Sequence, residues 1–361
     1  MWDQYAGLGA LGPSASVAEV IVGDWLKELL GIPPDASFAI TTGCQMAHVT
    51  ALAAARHDVL AERGWDVRER GLADSPPITA VAGALRHVTI DRALRLLGIG
   101  GAQIVVVPAD DAGRMRPREL AAALHASEGP TIVCAQAGEV NTGSYDPLVE
   151  IVEIVRETDA WLHVDGAFGL WAAASPTRRA LLDGCGDADS WATDGHKWLN
   201  VPYDCGLAFC RKPEAHRASM TMTASYFEGQ GKWVRDAADW TPESSRRARA
   251  FTVYAALRSL GREGWPSSWT AAATSRSASR RRSPSFPAAP SSTRSSSTRC
   301  SSASRTTRRR KRCSPTSSGA ARRGWAGQRG RAARRSASPS RAGGRRRRTS
   351  TAPSPPSSRH S

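Results

Sequence analysis

The sequence predicts a three-layer α/β domain with a mostly parallel sheet, followed by a long tail that lacks a core. Three observations predict this organisation. Within residues 1–264, short apolar runs rich in β-branched residues alternate with amphipathic helical stretches, as in a sheet that is covered on both faces. Polar side chains gather just after these runs, where ligands bind in such folds. Residues 265–361 contain no Val, Ile, Leu, Met or Tyr.

The individual elements follow from apolar periodicity. Residues 16–30 are predicted to form an amphipathic helix, in which Ser16 and Glu19 fit a capping box. Gly31 and the following prolines end this helix, and a second helix at 45–62 follows a Thr-Thr-Gly loop. The predicted strands are residues 78–81, 103–107, 131–135, 161–165, 190–193 and 206–210. Further helices are predicted at 91–97, 117–124, 148–157 and 176–182.

The net charge of +16 is distributed unevenly along the chain. The tail, 265–361, has no Asp or Glu and 24 of the 49 Lys and Arg residues, which leaves 25 basic and 33 acidic residues before it. The first 264 residues therefore have the charge balance of an ordinary globular protein. None of the seven cysteines forms a C-x-x-C pair, and neither a signal peptide nor an apolar run of roughly 20 residues is present. We expect a cytoplasmic protein with reduced thiols and no membrane segment.

The tail cannot bury enough apolar surface to offset the entropy of ordering its backbone, so we predict disorder there. One interpretation is an Arg/Ser-rich arm that binds RNA, although regular repeats and interleaved aromatic residues are missing. The interpretation that we favour is a frameshift product. Residues 265–273 and 291–308, back-translated with GC-rich codons and shifted by one base, can give helix-like and strand-like patterns. The neighbouring reading frame of the gene tests this hypothesis.

Two residues at predicted strand ends point to chemistry. Lys197 follows the strand at 190–193, and a lysine in a partly apolar cleft loses proton affinity through desolvation and can then attack a carbonyl. Asp165 ends the strand at 161–165, where a carboxylate is costly unless a cation pairs with it. Taken singly, each has an ordinary alternative: a surface lysine, and a helix cap or a structural ion pair.

Three other segments could complete a binding site. Residues 38–45 form a loop of small residues that opens a helix, whose free amides and dipole suit a phosphate. His87 follows a predicted strand and could stack on a flat ring, although a lone histidine is more often structural. Thr142 lies in a turn-rich loop at 138–147 and can reach a ring substituent or a substrate.

In this order, these segments resemble the motifs of the group II decarboxylases that depend on pyridoxal 5′-phosphate (PLP), which include the aromatic-amino-acid, glutamate, histidine and diaminobutyrate enzymes. The resemblance runs from Trp2 to about Gly264, and its most specific element is Asp165 followed by His196-Lys197. It implies a fold type I PLP-dependent transferase domain, similar to aspartate aminotransferase, over residues 1–264. It also implies a homodimer. Family members have a longer N-terminal segment and a folded C-terminal domain, so we expect a shortened chain in which residues 265–361 replace that domain.

The resemblance further implies roles by position. Lys197 would bind PLP covalently, Asp165 would pair with its pyridine nitrogen, and His87 would stack on its ring. Tyr226 stands where the family's mobile loop carries a tyrosine that protonates the carbon left after CO₂ departs. The other cofactor contacts would come from Gly43, Cys44, Gln45, Thr142, Ala167 and His196. The expected reaction is decarboxylation of an L-amino acid to its amine, without a metal. His48 and residues 44–46 depart from the family pattern.

Three alternatives stay open at this point. An aminotransferase or an aldehyde-forming lyase of fold type I has the same strand-end aspartate and lysine, but Tyr226 and the His-Lys-Trp context favour a decarboxylase. A nucleic-acid-binding protein would act through the tail, although an arm with 24 basic residues binds polyanions non-specifically whatever its role. The third alternative is an inactive fragment of a decarboxylase.

Overall fold

The computed structural model describes residues 5–222, 235–261 and 264. The strands are β1 (Ser37–Thr41), β2 (Thr79–Gly83), β3 (Ile104–Val107), β4 (Thr131–Gln136), β5 (Trp161–Asp165), β6 (Ser190–Asp194) and β7 (Gly206–Cys210). The helices are α1 (Pro13–Leu30), α2 (Cys44–Ala61), α3 (Val67–Arg70), α4 (Val88–Leu96), α5 (Pro117–His125), α6 (Leu148–Arg156), α7 (Pro213–Met220) and α8 (250–261).

The strands of the described residues form one mixed sheet in the order β1-β7-β6-β5-β4-β2-β3. Strands β3, β2, β4, β5 and β6 pair in parallel, and β7 pairs antiparallel with both β6 and β1. Five of the strands therefore deliver their carboxyl ends to one edge of the sheet, as does β1. The mostly parallel α/β sheet predicted from the sequence is confirmed.

Alternate residues of the central strands pack into two separate cores, one on each face of the sheet. On β4, Val133 and Ala135 join the core that α1, α5 and α6 cover, whereas Ile132 and Cys134 join the core that α2 and α4 cover. The change of side from residue to residue follows from the two-residue period of a strand. The result is the predicted three-layer arrangement.

Strand β1 was not predicted, because residues 38–45 were interpreted as a loop alone. All five residues of β1 are buried, and it pairs with β7 in a register that joins Ser37 to Cys210. Nothing close in the sequence marks this strand, because its hydrogen-bonding partner lies more than 160 residues further along the chain.

Two helix predictions were wrong in detail. Helix α1 begins at Pro13 rather than at Ser16, because proline fixes φ and lacks the N–H that the first turn leaves unpaired. The capping box is therefore absent, and Glu19 lies inside the helix, buried against Arg246 with an oxygen–nitrogen distance of 2.7 Å. Residues 176–182 do not form an α-helix, since only a 3₁₀ turn at Arg179–Leu182 is present.

The predicted boundary at residue 264 stays a prediction, because the tail beyond it lies outside the described residues. Within the described residues, no helix has both the length and the apolar character that a bilayer crossing requires.

Candidate active site

A cavity of about 270 Å³ lies at the carboxyl ends of β4, β5 and β6, beside the N-terminus of α2. Eight of the residues predicted for the site line it: Gly43, Cys44, Gln45, His87, Asp165, Ala167, His196 and Lys197. The sequence analysis did not single out the other lining residues, which are Thr89, Gln136, Gly138, Val140, Phe168 and Asp194. The structure therefore brings the strand-end segments together around one cavity.

The N-terminus of α2 reaches the cavity because two backbones approach very closely. A Cβ atom on Gly206, at the start of β7, would lie 2.2 Å from the carbonyl carbon of Gly43. Only glycine at position 206 leaves room for this contact. The amide of Cys44 donates a hydrogen bond to Oδ1 of Asp194 at 2.6 Å, which anchors the helix on the end of β6.

Asp194 is a candidate site residue to which no role was assigned from the sequence. Its Oδ2 lies 3.1 Å from Nζ of Lys197, so the described ion pair of the lysine is made with Asp194 and not with Asp165. The Asp194 side chain is only 5% exposed, whereas that of Lys197 is 41% exposed. A signal was available, because Asp194 also ends a buried strand in a carboxylate. The prediction from this signal was made for Asp165 alone.

His196 is held away from the lysine that follows it. Its Nδ1 lies 3.0 Å from the carbonyl oxygen of Cys205 and therefore donates to it. Its ring stacks on that of Tyr203, with ring centroids 4.5 Å apart and planes inclined by 25°. These contacts fix the imidazole at the wall of the cavity, on the side of Gly43.

Asp165 is buried but stays ionised. Burial by itself raises the pKa of its carboxyl group, but nearby His48 and the amide of Ala167 outweigh that effect and lower the pKa to about 2. The amide of Ala167 donates to Oδ1 at 3.0 Å, and Nε2 of His48 lies 3.5 Å from Oδ2. At neutral pH the floor of the cavity therefore presents a negative charge with few polar partners, which suits a cationic ligand group.

A chain of buried polar side chains runs behind Asp165. Nδ1 of His48 lies 3.0 Å from Nε2 of His163, whose Nδ1 lies 2.8 Å from Oγ of Ser190. The indole N–H of Trp161 also donates to this serine oxygen at 2.8 Å. Burial and the nearby His48 lower the pKa of His163 to about 3, so its ring is neutral. No role in such a hydrogen-bonded row had been assigned to His48 or His163 from the sequence.

Three predicted residues have definite local contacts. His87 caps α4, where its Nδ1 lies 2.8 Å from the hydroxyl of Thr89, and its ring is exposed at the cavity mouth. Gln45 donates from Nε2 to the carbonyl of Thr89 at 3.2 Å, and its buried Oε1 has no hydrogen-bond partner among the described residues. Thr142 pairs with Ser144 at 2.7 Å and is not among the described residues that line the cavity.

The functional groups that line this cavity fit PLP. They offer the amine of Lys197 for an aldehyde and the anionic carboxylate of Asp165 for a pyridinium nitrogen. The N-terminal dipole of α2 suits an anion, beside the Cys44 amide that already bonds Asp194. The unpartnered Oε1 of Gln45 leaves one buried acceptor for a ligand or a water. Tyr226, the predicted proton donor, lies outside the described residues.

Sequence comparison places these residues among known proteins. The profile of the pyridoxal-dependent decarboxylase conserved domain matches residues 10–275. The aromatic-L-amino-acid decarboxylase of Bacillus atrophaeus is 31% identical over 257 residues, which are 69% of this chain and 51% of that protein. The 4-hydroxyphenylacetaldehyde synthase of Rhodiola rosea is 30% identical over 275 residues, 71% of this chain and 54% of that protein. The chain thus spans about half the length of these relatives.

Structural comparison agrees. The crystal structure of Oryza sativa TDC with PLP and tryptamine superposes with a TM-score of 0.67 and 26% identity, covering 73% of this chain and 56% of that one. The predicted fold type I architecture is thereby confirmed, and a bound PLP in this neighbour supports the same cofactor here. The profile match extends over most of the chain and includes every residue of the cavity. This chain belongs to the pyridoxal-dependent decarboxylase family.

Proposed function

We propose that this chain carries the PLP-binding site of an L-amino-acid decarboxylase, which converts its substrate to the amine and CO₂. One observation carries the proposal: Lys197 and the ionised Asp165 open onto the same cavity. The family profile supports the assignment. A homodimer and a cytoplasmic location belong to the same proposal and rest on the family resemblance and the sequence.

PLP, when bound, supplies a ring that accepts the electron pair released as the bond between Cα and the carboxylate breaks. The residues of this chain prepare that chemistry. The anionic Asp165 favours a proton on a ring nitrogen that faces it, and His87 is positioned at the mouth to cover a flat ring. Thr142 contributes only if its loop moves toward the cavity, since its hydroxyl bonds Ser144.

Asp194 positions the amine of Lys197, since its Oδ2 lies 3.1 Å from Nζ. Asp194 also ties the lysine to α2 through the Cys44 amide, so the amine and the anion-binding helix end are positioned by one carboxylate. In this proposal, Tyr226 delivers the proton that Cα receives after CO₂ leaves.

The experiment is an absorbance spectrum of the purified protein with PLP, followed by borohydride reduction and mass spectrometry. The expected result is a PLP-derived band and, after reduction, a stable adduct on Lys197. Lys197→Ala should lose both, whereas Lys212→Arg, which keeps the ion pairs with Asp58 and Glu62, should retain both. An adduct on another lysine would contradict the assignment. Release of CO₂ from a set of L-amino acids then separates a decarboxylase from an aminotransferase.

An aldehyde-forming enzyme is the second candidate, because the Rhodiola rosea relative is a 4-hydroxyphenylacetaldehyde synthase. The tyrosine at position 226 favours the decarboxylase, since phenylalanine is expected there in the aldehyde-forming branch. Analysis of the products distinguishes the two, because one yields the amine and the other the aldehyde.

A further inference from the structure

Cys44, His48 and Asp165 place three metal-ligating atoms around one point at the floor of the cavity. We name them the Cys-His-Asp cluster. All three side chains are buried, and the three ligand atoms lie within 4.8 Å of one another. We propose that this cluster binds a thiophilic divalent cation, such as Zn²⁺, and that the cation and PLP exclude each other.

Two ligand-atom distances in the cluster match those of a tetrahedral zinc site. With a Zn–S bond of about 2.3 Å and Zn–N and Zn–O bonds of about 2.0–2.1 Å, ligand atoms at the tetrahedral angle lie roughly 3.5 Å apart for S and N, and roughly 3.3 Å apart for N and O. In the structure, Nε2 of His48 lies 3.3 Å from Sγ of Cys44 and 3.5 Å from Oδ2 of Asp165. His48 is therefore spaced to bind one cation together with Cys44 and with Asp165, and the sulfur and the carboxylate oxygen lie within 4.8 Å of each other.

The polar chain behind His48 can present a lone pair to the cation. With protons on both Nδ1 atoms, His48 donates to His163 at 3.0 Å and His163 donates to Ser190 at 2.8 Å. Nε2 of His48 is then free to bind a metal. Metal-bound histidines are commonly oriented by such a hydrogen bond from the other ring nitrogen.

The same side chains can also form these hydrogen bonds with donors and acceptors reversed. The hydroxyl of Ser190 then donates to His163, His163 donates to His48, and Nε2–H of His48 points toward Asp165. Both directions leave every member of the chain with a partner, and the indole of Trp161 donates to Ser190 in each. One set of side chains can thus support a metal-bound form or a form in which His48 pairs with Asp165.

Cys44 and Asp165 both line the cavity, so a water or a ligand in the cavity would be available for a fourth coordination position. Three protein ligands with one open position are typical of zinc sites that exchange a water or another ligand. A second carboxylate, that of Asp194, also lines the cavity and adds negative charge, which favours a cation. Thiolate, imidazole and carboxylate together select zinc-like ions over Mg²⁺ or Ca²⁺, which prefer oxygen ligands.

Exclusion follows from the shared carboxylate. Asp165 is the group that we expect to pair with the pyridine nitrogen of PLP, and a cation bound to this carboxylate would neutralise it and repel a protonated ring nitrogen beside it. This half of the inference rests on the proposed function, whereas metal binding by the cluster does not.

The test uses the full chain with Cys300→Ser and Cys313→Ser, so that the thiols of the tail cannot contribute, freed of PLP and titrated with Co²⁺. The expected result is one equivalent of Co²⁺ per chain, with a sulfur-to-cobalt charge-transfer band and the intense visible bands of tetrahedral cobalt, all displaced by Zn²⁺. Cys44→Ser should abolish the charge-transfer band, because it removes the sulfur ligand. His48→Gln should abolish the bands of tetrahedral cobalt. Cys185→Ser, which removes a buried thiol outside the cluster, should leave them intact.

Circular dichroism shows whether each variant folds. If Cys44→Ser does not fold, the cobalt spectrum of His48→Gln decides whether the cluster binds the metal. Absence of the cobalt bands in the parent chain, or their survival in the folded cluster variants, would overturn the site. Added PLP should reduce bound Co²⁺ in proportion to bound PLP. Unchanged cobalt in the presence of bound PLP would refute exclusion but not the site. A metal-free chain that takes up no PLP would instead refute the proposed function.

Discussion

Gly206→Ala should destabilise the protein and weaken the cofactor site together. The added methyl group would lie 2.2 Å from the carbonyl carbon of Gly43, 2.4 Å from its oxygen and 2.5 Å from its Cα. Ordinary carbon contacts begin near 3.4 Å, so the strand and the helix end must separate by about 1 Å. Because both partners are backbone, neither can swing aside. Overpacking of this kind typically costs about 1–3 kcal/mol, and the backbone contact places this variant at the upper end.

Chemical denaturation with linear extrapolation measures the loss in the free energy of unfolding. Gly101→Ala is the matched control, because a Cβ there meets nothing within 4 Å and its φ is not positive. We expect the control to change stability by less than about 0.5 kcal/mol. PLP binding should weaken only in Gly206→Ala, since that variant shifts the N-terminus of α2. A Gly206→Ala variant as stable as the control would refute the close approach on which the site geometry depends.

Three further predictions concern charge and protonation. Arg246→Met leaves the buried Glu19 with the longer 3.8 Å contact to Arg235 and should cost about 3 kcal/mol of unfolding free energy, the lower end of the range for breaking a buried pair. Arg156→Met, which breaks an exposed ion pair with Asp187, should cost under about 1 kcal/mol. Burial lowers the pKa of both His163 and His216 to about 3 in the folded chain. As the pH falls below 6.5, these two histidines therefore take up protons in the unfolded chain before they do so in the folded chain. Stability should therefore fall between pH 6.5 and 3, by about 2 kcal/mol per histidine at pH 5, and a melting temperature that does not change over this range would contradict their burial as neutral rings. Tyr226→Phe should shift product from amine toward aldehyde, and an unchanged ratio by chromatography would refute the role of the tyrosine.

The elements that the sequence predicted well are those with strong local signals. Strands such as β5 and β6 are short apolar runs whose bounds follow from composition, and the helix at 45–62 follows from periodicity. Strand β1 escaped prediction because its stability comes from pairing with β7, which no local pattern records. The start of α1 escaped because Pro13 outweighed the apparent capping box.

The candidate site was predictable to the extent that its residues stand at strand ends. Asp165 and Lys197 were found in this way, and they do line one cavity. The partner of Lys197 was within reach of prediction, because Asp194 ends β6 in a carboxylate and stands three residues before the lysine. The alignment of His48 with His163 was not predictable, because it arises only where α2 packs against β5. These two histidines are 115 residues apart, and spacing along the chain contains no trace of their contact.

The pairing of β1 with β7 has a consequence for how the chain acquires its binding site during synthesis. Strand β1 and the N-terminus of α2 leave the ribosome early. The strand that pairs with β1, residues 206–210, emerges much later. Until then the five buried side chains of β1 lack their partner strand, and β6 offers an unpaired edge. Long-range strand pairing of this kind delays folding, and the unpaired edge favours aggregation in the meantime. Vectorial synthesis therefore makes the cofactor pocket one of the last parts of the domain to assemble.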